Sequence, residues 1–109
     1  MKRPKADGNF DAIQREAFER YVLDLAQRWA AEHDRLYGDN ESVLIRHIEL
    51  RGEYPNTGLK IQTYDKNREL EQSSVYVLWG RPDFFDAEGN LLVEPERLVA
   101  DILMLARGG

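Results

Sequence analysis

The sequence predicts an α+β fold, a long N-terminal amphipathic helix packed on a three- to five-stranded antiparallel sheet (a meander), with a C-terminal helix. Three observations carry this. Residues 11–37 repeat apolar side chains with helical period, residues 43–80 hold strand-like runs separated by polar turns, and Glu94-Pro95 precedes a second apolar stripe. A chain of 109 residues has room for one domain. Residues 10–109 are assigned to that domain, and residues 1–9, opening Met1-Lys2-Arg3-Pro4-Lys5, to a flexible basic tail.

In the first helix the expected buried stripe is Ile13, Ala17, Tyr21, Leu25, Trp29 and Leu36, flanked by Phe18, Val22, Ala26 and Ala30. Glu16 with Arg20, and Asp24 with Arg28, stand four residues apart on the polar side. Asp11 is the expected N-cap, and Gly38 the expected left-handed residue after the last turn.

Val43 to Tyr54 reads as a strand, because β-branched residues are frequent and the turn Pro55-Asn56-Thr57-Gly58 follows. A short helix from Glu41 to Arg51 is the competing reading. Non-alternating Val43-Leu44-Ile45 allows a bulge. The turn suggests a register with Tyr54 opposite Leu59, Glu53 opposite Lys60 and Leu50 opposite Thr63. The polar stretch from Asp65 to Gln72 reads as a loop. The run Ser73 to Gly80 is apolar on both sides. Pairing Thr63 with Val75 would set Ile61 beside Val77 and Leu59 beside Trp79, under the long helix. Lys60, Gln62, Tyr64, Tyr76 and Leu78 would share the other face.

Phe84-Phe85 and Asn90 to Val93 suggest a small second hairpin around Gly89. The last helix starts at Glu94-Pro95 and buries Leu98, Val99, Ile102, Leu103 and Ala106.

Composition narrows the chemistry. With no cysteine there is no disulfide, thiol nucleophile or cysteine-ligated metal, and a reducing cytoplasm suits the chain. A net charge of −5, spread along the sequence, disfavours nucleic-acid binding, for which the basic tail is the one candidate. No apolar run reaches membrane-spanning length. Phosphate-loop and esterase motifs are absent. Asp83, Asp86 and Glu88 lack the ligand spacing of a calcium loop. No metal and no cofactor is expected.

Two resemblances are short. Arg107-Gly108-Gly109 resembles the tail of ubiquitin-like proteins, but over three residues and directly after a helix. The helix–strand–strand–strand–helix order resembles double-stranded RNA-binding domains, whose last helix begins with basic residues; here it begins Glu94-Pro95-Glu96-Arg97.

His47 and Glu49 are the weak catalytic candidates, with Tyr64 nearby on the same strand face. The aromatic and cationic set Tyr64, Tyr76, Leu78, Arg51 and Arg81 has the composition of a binding hot spot. The expected function is therefore protein–protein binding by a small non-enzymatic protein, with another protein or itself as partner. An inhibitor, immunity protein, adaptor or chaperone would fit. An enzyme or small-ligand site at His47, Glu49 and Tyr64 is the alternative.

Overall fold

A computed structural model describes residues 12–88 and 90–108. The basic tail, Asp11 and Gly89 lie outside them. The order is helix α1 (Ala12–Tyr37), a 3-10 turn (Gly38–Asn40), strands β1 (Val43–Arg51), β2 (Gly58–Asp65) and β3 (Leu70–Val77), and helix α2 (Pro95–Ala106). The strands form one antiparallel sheet in the order β1-β2-β3. Among the described residues, no helix is long and apolar enough to cross a membrane.

α1 forms where the period predicts, and both expected ion pairs close, at 3.0 Å for Glu16–Arg20 and 2.9 Å for Asp24–Arg28. Its buried stripe is the neighbouring one, Phe18, Val22, Leu25, Ala26 and Ala30. Ile13, Trp29 and Leu36 are exposed. Gly38 does not end the helix in a left-handed conformation; it opens the 3-10 turn.

β1 is a strand, with the bulge between Ile45 and His47. Its register differs from expectation: Leu50 lies opposite Leu59 and Glu49 opposite Lys60. Residues 52–57 leave the ladder because Tyr54 packs elsewhere. Its ring meets Trp79 edge-on at 5.4 Å, and the Arg15 guanidinium lies 4.1 Å from its centre. Gly52 permits the departure at φ 79°; a Cβ there would stand 2.9 Å from the Asn56 carbonyl oxygen. The slip is an even number of residues, so the faces survive it.

The second register changes the faces. Thr63 lies opposite Gln72, not Val75. The turn is only Lys66 to Glu69, because the Asp65 carboxylate accepts the Asn67 and Arg68 N–H groups, at 2.9 and 3.2 Å, and Glu69 turns left-handed at φ 50°. A shift of odd length carries every β3 side chain to the opposite face. Val75 and Val77 thus point away from the helices, and Tyr76 packs against the core.

One buried cluster joins Ile48, Leu59 and Ile61 of the sheet to Phe18 and Val22 of α1 and to Leu98, Val99, Ile102 and Leu103 of α2. Both helices therefore cover the same sheet face. Leu78 and the Phe84–Phe85 segment close its end. The second hairpin shrinks to one bridge, Phe85–Leu91.

Candidate interaction surface

The side of the sheet turned away from the helices carries Arg46, His47, Glu49 and Arg51 from β1, Lys60, Gln62 and Tyr64 from β2, and Glu71, Ser73, Val75 and Val77 from β3. At the β1 end it is charged. Glu49 stands among three basic side chains, with His47 Nε2 at 3.8 Å, Arg51 Nε at 3.4 Å and Lys60 Nζ at 3.9 Å. The bulge brings the Arg46 guanidinium to 5.1 Å from the Tyr64 ring centre. These are exposed contacts, worth little individually to stability.

At the β3 end the open face is wet and carries one charge, Glu71; Val75 is 53 % exposed and Val77 39 %. Leu70, Gln72 and Ser74, on the helix-facing side, are exposed too. The helical layer thus stops short of β3, which meets solvent on both faces.

The five expected binding residues do not form one surface. Tyr64 and Arg51 lie on the open face, Tyr76 lies on the other, and Leu78 is wholly buried. Leu78 follows the strand, with its N–H donated to the Thr57 carbonyl at 3.0 Å. Arg81 lies beyond, its guanidinium 5.5 Å from the Phe84 ring centre.

Nor do the catalytic candidates converge. His47 borders a cleft of about 190 Å³ between α1 and β1, lined by Gln27, Ala30 and Ala31 but by neither Glu49 nor Tyr64. Asp86 is occupied as a turn residue, accepting from Asn90 N at 2.8 Å and Glu88 N at 2.9 Å. No group of three or more acidic or histidine side chains able to hold a metal occurs among the described residues.

A groove of about 440 Å³ between the helices escaped sequence reasoning. Trp29, His33 and Glu41 line one side, Leu103, Met104 and Arg107 the other. His33 Nε2 sits 2.8 Å from Glu41 Oε1. Beneath it, Arg107 Nη2 and Asp34 Oδ1 are 3.7 Å apart, each buried and without a hydrogen bond. Nothing in the spacing signals this groove, since three separate elements build it.

No protein-family model matches this chain, nor does any curated protein or solved structure. The surface must speak through its own chemistry.

Of its two ends, the β1 end satisfies its charges internally around Glu49. The β3 end leaves apolar side chains in water and, among the described residues, a strand edge with no pairing partner.

Proposed function

We propose that this chain is a protein-binding module whose contact surface is the β3 side of the sheet. The observation that carries the reading is β3 itself. It is an eight-residue edge strand, regular along its length and exposed on both faces. An exposed edge with a single charge, Glu71, and no lysine, arginine or proline is a template for strand addition by a partner. A cytoplasmic setting belongs to the same proposal, because a cysteine-free chain folds equally well under reducing conditions.

A photo-crosslinking residue in place of Val75, with one in place of Asp39 as reference, tests it. The expected result is a discrete crosslinked product from Val75 alone. The purified product's partner should then bind the native chain at least tenfold more tightly than the Gln72→Lys variant. Equal crosslinking from the two positions would remove β3 as the binding surface.

A further inference from the structure

We infer that β3 pairs antiparallel with β3 of a second copy of this chain, about a twofold axis at Ser73, making one six-stranded sheet. The inference rests on the reading of β3 as the contact surface and names its occupant.

The two edges of the sheet differ. Edge strands are ordinarily blunted by a bulge, a proline or inward-turned charge. β1 is so blunted, with a bulge after Ile45 and the charged run Arg46, His47, Glu49 and Arg51. β3 is not. All eight residues pair with β2 in one unbroken register, and Leu70–Val77 holds no lysine, arginine or proline. Its one charge is Glu71, so a twofold axis through the strand crosses neutral ground in a chain of net charge −5.

Self-pairing matches what the strand leaves unsatisfied. With Ser73 opposite itself, Ser74 lies opposite Gln72, Val75 opposite Glu71 and Tyr76 opposite Leu70. Paired residues then keep the same parity, so the two open faces are flush and both helical layers lie on one side. On the helix side, Leu70 and Tyr76 of the two copies cover each other. On the open side, Glu71 enters the row of Val75 and Lys60 in the other copy. Glu71 and Lys60 would then be two strands apart, about 10 Å between α-carbons. Their two side chains together span that gap. The symmetry makes each contact twice. A slip by two residues toward Val77 would lose both the Leu70–Tyr76 contact and the Glu71–Lys60 row. Among the described residues, no helix stands over β3 to obstruct the approach of a second copy. A pair of strands alone falls at the small end of specific interfaces, below about 1,200 Å² in total. The dimer should accordingly dissociate in the micromolar range, on the order of 1–100 μM.

Sedimentation equilibrium of the native chain from about 1 μM to about 1 mM should show the mass rise from 12.7 kDa toward twice that value. Val75→Glu, set directly opposite Glu71 of the second copy, and Ser73→Lys, set opposite itself on the axis, each checked for native circular dichroism, should raise the dissociation constant at least tenfold. Because the chain has no cysteine, a Ser73→Cys variant can form only an interchain disulfide. It should crosslink at least tenfold faster than Asp39→Cys. A constant monomer mass, or equal crosslinking rates, would overturn the inference. If the mass stays monomeric while Val75 still crosslinks to a different protein, self-pairing fails and the binding-module reading stands. If neither occurs, both fall.

Discussion

The indole N–H of Trp79 donates to Glu19 Oε2 across 2.9 Å, fastening the end of β3 to α1. The Trp79 ring also lies 5.0 Å from Phe18, 5.4 Å from Tyr54 and 5.8 Å from Phe85, centre to centre. Removing the donor while keeping an aromatic ring isolates the bond. Trp79→Phe should lower stability by about 1–2 kcal/mol, from the lost hydrogen bond and a smaller ring. Trp79→Ala should cost about 3–5 kcal/mol. Urea denaturation followed by circular dichroism reads both.

Leu78 and Val75, three residues apart, should respond oppositely to change. Leu78 is wholly buried, so Leu78→Ala should cost about 2–5 kcal/mol. Val75 is half exposed, and Val75→Thr, which keeps a β-branched side chain, should stay within about 0.5 kcal/mol of the native monomer. Measured at low micromolar protein, the contrast checks the register itself. Under the register expected from sequence, the more sensitive residue would be Val75.

Asp34 and Arg107 make a second contrast. Asp34 Oδ2 accepts the Ile45 N–H at 3.0 Å, while Oδ1 faces Arg107. Asp34→Ala strands both groups and should destabilise by about 2–3 kcal/mol. Arg107→Met alone leaves the Asp34 carboxylate without its counter-charge and should also destabilise, by about 1–3 kcal/mol, whereas Arg107→Met combined with Asp34→Asn, which keeps the acceptor for Ile45, should recover most of that loss. Thermal melts at fixed pH compare the three.

Acid should loosen the β2–β3 turn. The Arg68 side-chain hydrogen bond, helped by the Arg68 and Asn67 N–H groups, holds the Asp65 carboxyl below its ordinary 3.8. A depressed folded pKa contributes stability above the unfolded value, and that contribution is lost as pH falls through the folded one. Carbon-detected NMR titration should place the Asp65 midpoint below 3.8. Asp65→Asn should flatten this part of the acid limb.

The fold class was legible because periodicity survives without knowledge of tertiary contacts. Residues 11–37 and 95–106 alternate on a helical period, and β1 and β2 carry β-branched residues between turns. Side-chain placement on β3 was not, because it hangs on turn length. Residues Leu70 to Gln72 look polar enough for a loop, yet they pair with Asp65, Tyr64 and Thr63. That extension shifts the partner of Thr63 by three residues and exchanges the two faces. The same turn separates Tyr64 from Tyr76: the sequence-expected register sets them on one face, and the four-residue turn sets them on opposite faces. Gly58 held a clue: a Cβ there would lie 2.8 Å from both the Tyr76 carbonyl oxygen and Val75 Cγ1, so the strands close over it.

The bulge after Ile45 has a consequence for assembly size. A sheet with two open edges can recruit copies without limit, and the product is a fibre. Here the ladder is broken on one margin only. Any pairing through β3 uses up the regular margin of both chains and leaves the two bulged ones outermost. Growth by that route would then stop at two, and a strand chemistry that elsewhere leads to aggregation would be confined to a closed, countable particle.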